Sequence, residues 1–395
     1  MSHTRPHLVI LHLYGRNQAD WADFVEVKGQ YRSVAERCSR VDLIVPHGTT
    51  ESAGAGTLQI HGIAGSPRNV LAFAISALTT IRKIHRESPI DILWSQDPFA
   101  CGIIGWMASR RHRFPFVVEI CNDFFDLTEL GAGRIERLCK SAIATWVAKR
   151  AARIRTVSWA IREQLLRRGT PATKISVLCC PTDMRLFDFD LHTEEREQIR
   201  SENGLDSNLL VMFVGALVDR KGLDLLLDAA AALRPEFSQL RIAIVGDGPS
   251  RRGLETQAAN LGLDGTVSFW GRLTHDKLPG ALAAADAVVL PSRNEGLPRC
   301  LVEALAMQRP VVATKISGND EVVQDGETGI LVEPTVAGIR HGLEAILRMT
   351  PKEREQMGRL GRERVSVCYG LEEVADRMTV ELIEGVRAYS PQTGQ

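Results

Sequence analysis

The chain has 395 residues, 44% of them hydrophobic and 24% charged, with 48 Lys/Arg balanced by 48 Asp/Glu. That length suits two domains of ordinary size, and the composition excludes a disordered, collagen-like or disulfide-stapled chain. No charged, apolar, small-residue leader opens the sequence, and no apolar run of about 18 residues interrupts it, so a cytoplasmic protein is expected. Cys38, Cys101, Cys121, Cys139, Cys179, Cys180, Cys300 and Cys368 form no CxxC pair. This is buried-thiol usage rather than a disulfide framework or a zinc site. The balanced charge is unevenly placed: residues 1–190 carry 25 Lys/Arg against 18 Asp/Glu, leaving 23 against 30 beyond them. A basic first half can rest on anionic lipid headgroups or steer an anionic acceptor, and it is also what ordinary solvated helix faces give. Nucleic acid is not expected, because no surface aromatics interleave the basic residues and no binding module is recognisable.

In chain order, short apolar runs suited to parallel strands come at His7–Leu13, Val41–Val45, Asp91–Trp94, Phe116–Ile120, Ile154–Val157 and Lys174–Leu178. Helical spacing fills Trp21–Cys38, Asn69–Arg86, Phe99–Arg111, Gly133–Arg150 and Ser158–Arg168. Alternation of this kind predicts a doubly wound sheet. Leu71–Ile81 is apolar, but it is too short for a membrane span and ends in Arg82-Lys83, so it reads as a core-facing helix. Between Pro181 and Leu209 the pattern lapses into charged, irregular sequence, the expected linker. Its Asp188-Phe189-Asp190 has the DxD spacing of some metal sites but no strand-end setting, so a structural role is expected and no metal. These breaks give domains at 1–190 and 191–370, followed by an amphipathic C-terminal helix within 371–395.

The second half opens on a strand at Leu209–Val214, followed by GALVDRKG. A strand meeting a helix at Lys221-Gly222 sets an ammonium beside backbone amides, which suits a diphosphate. Gly246, Gly248 and Gly253 are not spaced as a dinucleotide fingerprint and read as a tight turn. Ala287–Thr314 then reads as strand, polar turn, helix from Leu297-Pro298, and a second strand at Val311–Ala313. Two apolar strands joined this way form a parallel βαβ crossover, whose ligands bind beyond the strands' carboxyl ends. Glu295 stands at that tip and Glu303 lies down the helix. Pro298 to Glu303 is about 7.5 Å of helix axis. The free N–H groups of Gly296, Leu297 and Arg299 make an anion site at the helix mouth. A carboxylate beside an anion site suits a ligand whose hydroxyls accompany a phosphate. Glu295 on sugar hydroxyls, phosphate on the amides and Glu303 on ribose hydroxyls would describe a nucleotide-sugar. The two glutamates also fit a helix cap and a solvated helix residue.

EGLPRCLVEALAMQRPVVAT (Glu295–Thr314) resembles the signature of the retaining GT-B glycosyltransferases of family 4. The resemblance extends in order through VGALVDRKGLDLLLDAA, IVGDGPSRRGLE, VSFWGRL and SGNDEVVQDGETGILVEP, about 120 residues. It is weaker in DILWSQDPFACGIIGWMASRR and VSWAIREQLLRRGTPATKISVL of the first half. The resemblance implies an α/β GT-B fold, two Rossmann-like doubly wound domains facing a central cleft, acceptor domain first and donor domain second. It implies that the C-terminal helix crosses back to the first domain. It also implies a metal-independent hexosyltransferase that retains anomeric configuration by front-face attack and needs no cofactor beyond its nucleotide-sugar donor. The acceptor would be a glycan or lipid-linked, in cell-surface polysaccharide or glycoconjugate synthesis, at the inner face of the membrane.

By the same resemblance the catalytic pair is Lys221 and Glu295. Gly215, Arg220, Arg272, Gly296, Leu297 and Glu303 complete the donor site, Arg272 beside the base. Gly15, Asp97, Cys121 and Asp123 fall on the acceptor or sugar side. Three departures stand out: LYGRNQADW keeps only Gly15 of a Gly-rich loop, Cys121 holds a position often occupied by histidine, and Ala216 replaces a common arginine. A nucleotide-sugar epimerase on the same fold and a non-catalytic partner protein are the other readings.

Overall fold

The computed structural model describes residues 5–13, 34–46, 52–53, 56–66, 69–121 and 134–384. Gly15, Asp123 and most of the helix expected over Trp21–Cys38 lie outside the described residues. The chain forms two compact units, Met1–Pro181 together with Leu371–Gln395, and Thr182–Gly370.

In the first unit the strands are β1 (His7–Leu11), β2 (Arg40–Pro46), β3 (Ser52–Ala53), β4 (Leu58–Ile63), β5 (Ile92–Ser95), β6 (Phe116–Ile120), β7 (Arg153–Thr156) and β8 (Ile175–Val177). They lie in the order β3-β4-β2-β1-β5-β6-β7-β8. Only β3 runs antiparallel, against β4. Parallel strands are covered on both faces, which is why these runs are apolar throughout; Val9, Leu43 and Val118 have no exposed surface. β4 escapes the sequence reading because LQIHGI interleaves polar residues, and the edge strand β3 because it is two residues long. Helices α1 (Val70–Glu87), α2 (Ala100–His112), α3 (Arg134–Arg150) and α4 (Trp159–Arg167) are the crossovers from β4 to β8, within two residues of the expected bounds. Asn69 caps α1 and Ser158 caps α4, each side-chain oxygen accepting from the backbone three residues on.

The second unit holds β9 (Leu209–Val214), β10 (Leu240–Val245), β11 (Val267–Gly271), β12 (Ala287–Leu290), β13 (Val311–Thr314) and β14 (Gly329–Val332), all parallel, in the order β11-β10-β9-β12-β13-β14. Counted from β9 this is 3-2-1-4-5-6, the doubly wound order whose direction reverses between β9 and β12. The helices preceding β12 are α5 (Thr193–Glu202), α6 (Leu223–Leu233), α7 (Arg251–Asn260) and α8 (Leu278–Ala284). Those after it are α9 (Arg299–Ala306), α10 (Asn319–Val322), α11 (Val336–Arg348) and α12 (Pro351–Tyr369).

Two assignments differ from the sequence reading: the end of the first domain and the linker. Residues 182–190, assigned by sequence to the first domain, group with the second unit. Phe187 is buried there, and Arg362 of α12 donates to the carbonyls of Phe187 and Met184 and pairs with Asp188. Asp188 and Asp190 thus belong to a 3₁₀ turn in which the Asp188 side chain accepts from the Asp190 amide. The expected linker contains α5, a helix with too few apolar residues to show a stripe. It is pinned by the buried Arg200, which donates to the carbonyls of Ala284, Leu205 and Asn208 and pairs with Asp286 at 3.1 Å. The C-terminal helix is α13 (Leu371–Met378) followed by a π-helical turn over Thr379–Glu384. It sits in the first unit, where Arg377 donates to the Val177 carbonyl at 3.1 Å and Arg37 pairs with Asp376 at 2.5 Å.

Candidate functional site

The loops after β9 and β12 meet at the carboxyl ends of those neighbouring strands, where the strand order reverses. After β9 the chain makes one 3₁₀ turn, Asp219–Lys221, and enters α6 through Gly222 at φ +64°. A Cβ at Gly222 would collide with the Pro291 carbonyl, so the two loops touch through bare backbone. Arg293 fastens them further, with a two-pronged pair to Asp224 at 2.8 and 2.6 Å and a bond to the Asp219 carbonyl.

Lys221 and Glu295 come together at this junction. Lys221 is 8% exposed and Glu295 7%, and Lys221 Nζ lies 2.5 Å from Glu295 Oε1. Ser292 Oγ donates to the same oxygen at 2.6 Å, while Arg220 reaches Glu295 Oε2 at 3.4 Å. Beneath them Thr314 donates to the Ser292 carbonyl, and the buried Asn319 donates to the Thr314 carbonyl at 2.8 Å. Gly215 adjoins Lys221: a Cβ there would stand 3.6 Å from Lys221 Cε. A buried ion pair gains little net stability from its own attraction, because two charges have left water. What it supplies is position, an ammonium and a carboxylate held in one orientation.

Pro298 is the N-cap of α9 rather than the first-turn residue the sequence suggests, with extended φ and ψ of −80° and 93°. It leaves the N–H groups of Gly296, Leu297 and Arg299 without an acceptor among the described residues. Glu303 is on the buried side of α9, 6% exposed, 3.3 Å from Arg299. Burial raises its carboxyl above the usual range, and the Arg299 charge only partly opposes this. Burial also pushes the Cys300 thiol up to about 12; Lys221 pulls it down and Glu295 and Glu303 push it up, so Cys300 lies within the field of all three. Val218, Asp219, Pro249, Ser250 and Gly253 line a cavity of about 540 Å³ beside the Lys221 turn. Ser250 Oγ donates to Asp219 there at 2.7 Å.

Arg272 is not part of this group. It is exposed beyond the end of β11, two strands from β9, a lateral step of about 10 Å. In the first unit, Asp97 follows β5 beside β1, where that sheet reverses its own order. Phe99 N donates to Asp97 Oδ1 at 2.7 Å, and burial raises the carboxyl while Cys101 and the neighbouring amides partly oppose it. Cys121 belongs to a packed polar cluster: its thiol donates to Glu119 at 2.6 Å, the oxygen that also receives the fully buried Arg155 at 2.6 Å. The Cys180 thiol, burial and Glu119 together raise Cys121 well above the ordinary thiol range, so it stays protonated.

The sequence names Lys221, Glu295 and Glu303 as candidates and passes over Ser292, Asp224, Arg293, Thr314 and Asn319, which the structure places around them. Nothing local marks those five; they are strand, loop and helix residues whose partners stand 3 to 74 positions away. The cavity beside Lys221 was also missed, since GDGPSRRG reads only as a turn.

Residues 195–364 match the family model described as glycosyl transferases group 1, and residues 25–181 match that of the glycosyl transferase 4-like domain. The alpha-D-kanosaminyltransferase of Streptomyces kanamyceticus is 28% identical over 285 residues, 71% of this chain and 73% of that protein. Among solved structures, sucrose-phosphate synthase from Thermosynechococcus elongatus is similar with a TM-score of 0.82 at 19% identity, covering 98% of this chain and 100% of that one. Anabaena HepE, in complex with UDP and glucose, is similar with a TM-score of 0.76 at 19% identity, covering 96% and 99%. At that identity the two structures are likenesses of fold.

Proposed function

This chain belongs to the glycosyl transferases group 1 family and has its GT-B fold, and we propose that it moves a hexose-type sugar from a nucleotide-sugar to a glycan or lipid-linked acceptor. The observation that carries the reading is the buried Lys221–Glu295 pair beside the acceptor-less amides of Gly296, Leu297 and Arg299. Breaking a glycosyl phosphate bond builds negative charge on the departing diphosphate, and donors fixed beforehand give the largest help. Lys221, Arg220 and those amides are such donors, and they are protein groups rather than a metal. Glu295, already shared by an ammonium and a hydroxyl, is suited to accepting sugar hydroxyls and orienting the donor. Glu303 takes the ribose hydroxyls, and the cavity at Val218–Asp219 and Pro249–Gly253 is the candidate seat of the base. HepE was solved with UDP and glucose, and this chain shares its fold. Transfer with retention of configuration, by front-face attack with the leaving phosphate assisting the acceptor's deprotonation, completes the proposal. The product belongs to cell-surface polysaccharide or glycoconjugate synthesis, and an acceptor carried on lipid implies work at a membrane surface.

The test is thermal stability against UDP-, GDP- and ADP-sugars and the bare nucleotides, with Glu303→Ala beside the wild type. A ligand at 100 times its dissociation constant adds about 2.7 kcal/mol. One nucleotide class should raise the melting temperature of the wild type and not of the variant. No rise with any class would sink the donor site and move the reading to a non-catalytic partner.

A further inference from the structure

The right-handed crossovers into β5, β6 and β7 all step the same way along the sheet, which puts α1, α2 and α3 on one face, and they pack side by side. Their outward stripes repeat one pattern. On α1, Leu71 (73% exposed) and Ile75 (60% exposed) lead to Arg82 and Arg86. On α2, exposed Ile103 and Met107 lead to Arg110 and Arg111. On α3, exposed Ile135 and Leu138 lead through Trp146 to Lys149 and Arg150. Because the helices run in the same direction, these stripes form an apolar row beside a basic row.

Among the described residues little of the charge is compensated. The three helices carry ten Lys/Arg against Glu87 and Glu136 alone, and each of those acids faces a lysine of its own helix. Arg82, Arg86, Arg110 and Arg111 form no ion pair among the described residues. Helix C-termini favour cations by about 0.3–1 kcal/mol, which accounts for a residue or two per helix. It does not account for the apolar row, since solvated helix ends have no use for exposed leucine and isoleucine in register on three neighbours.

Along α3, toward the end of α4, whose crossover into β8 steps the same way, this side of the sheet is hollowed. Leu138, Ser141, Thr145, Trp146, Lys149 and Arg168 help line a groove of about 470 Å³. The Arg150 guanidinium lies 4.0 Å above the Trp146 ring, and Trp106 meets that ring edge-on at 4.8 Å. Cations and hydroxyls over an aromatic and aliphatic floor suit a phosphate that carries an apolar tail.

We propose that the outer face of α1, α2 and α3 docks on an anionic phospholipid bilayer, the apolar row entering the acyl boundary, the basic row meeting headgroup phosphates and the groove along α3 holding one of them. A soluble polyanion would satisfy the basic row and leave the apolar row idle; a bilayer uses both. His112 supports the same picture: burial and the positive neighbours His85, Arg111, Arg82 and Arg86 all lower its pKa, the mark of a surface crowded with one sign. The proposal deepens the membrane partner implied by a lipid-linked acceptor, and its test contains no donor, so either reading can fail without the other.

The full chain is sedimented with vesicles of equal parts phosphatidylcholine and phosphatidylglycerol, and with phosphatidylcholine alone. Binding is expected to the mixed vesicles only, weakening as salt rises. Arg110→Gln/Arg111→Gln should lower affinity about fivefold per charge, the equivalent of about 1 kcal/mol each. Leu71→Ser/Ile75→Ser should also lower it, with melting temperatures unchanged in both variants because all four side chains are exposed. No binding to mixed vesicles, or equal binding to both kinds, overturns the proposal. Loss in the arginine variant with none in the Leu71/Ile75 variant also overturns it, in favour of a soluble polyanion.

Discussion

Glu303 separates two influences that oppose each other on one side chain. Burial raises its pKa above 4.5, and Arg299 at 3.3 Å pulls it back. With the folded value above the unfolded one, the protonated carboxyl favours the fold. Its contribution is fully present below about pH 4.5 and is lost as pH rises through the raised value. Glu303→Gln keeps the shape and removes the charge, so it should melt higher than the wild type at about pH 8, with the difference vanishing at about pH 4. A wild type that stays the more stable at alkaline pH would show that Arg299 outweighs burial. Glu303 and Glu295 could both be picked out from the sequence by their place beside an apolar βαβ pattern. The sharing of Glu295 by Lys221, Ser292 and Arg220 could not. Lys221 stands 74 positions away, and only the adjacency of β9 and β12 brings it within 2.5 Å.

At the scale of elements, the junction between the β9 and β12 loops is the most constrained backbone near the site. Gly222 has positive φ and no room for a side chain beneath Pro291. Gly222→Ala should cost about 1–3 kcal/mol for the backbone conformation alone and more for the displaced Pro291 loop. A denaturant midpoint shift smaller than that would mean the loops part easily and Lys221 is not firmly aimed. The strands and crossovers were legible because buried parallel strands are short apolar runs and their helices carry a stripe. Helix α5 was not, because TEEREQIRSE offers only Ile199 to a core and is held instead by Arg200 bonding to distant carbonyls. Strand β4 was hidden by Gln59 and His61, whose partners are Arg40 and Asp42 of β2.

At the scale of the molecule, two units with separate cores predict two unfolding transitions in calorimetry. A nucleotide-sugar bound at Lys221 and Glu303 should raise one of them, that of Thr182–Gly370. Ending the chain after Gly370 should lower the other, since Val374, Ala375 and Met378 of α13 are buried in the first unit, Val374 and Met378 contributing up to about 1.5–3 kcal/mol each and Ala375 about 0.8 kcal/mol. A single transition that shifts as a whole in both experiments would overturn this independence. Placing α13 in the first unit also sets an order of events during synthesis. At about 5–20 residues per second, a ribosome takes roughly 10–40 s to make the whole of the second unit after Pro181 has emerged. For that interval the first unit lacks the segment that contacts the Val177 carbonyl and Arg37, while the second, continuous in sequence, can finish folding at once. The half of the protein made first is therefore the half completed last, and the nascent chain must keep an unfinished apolar seat beside β8 from sticking to anything else until its own tail arrives.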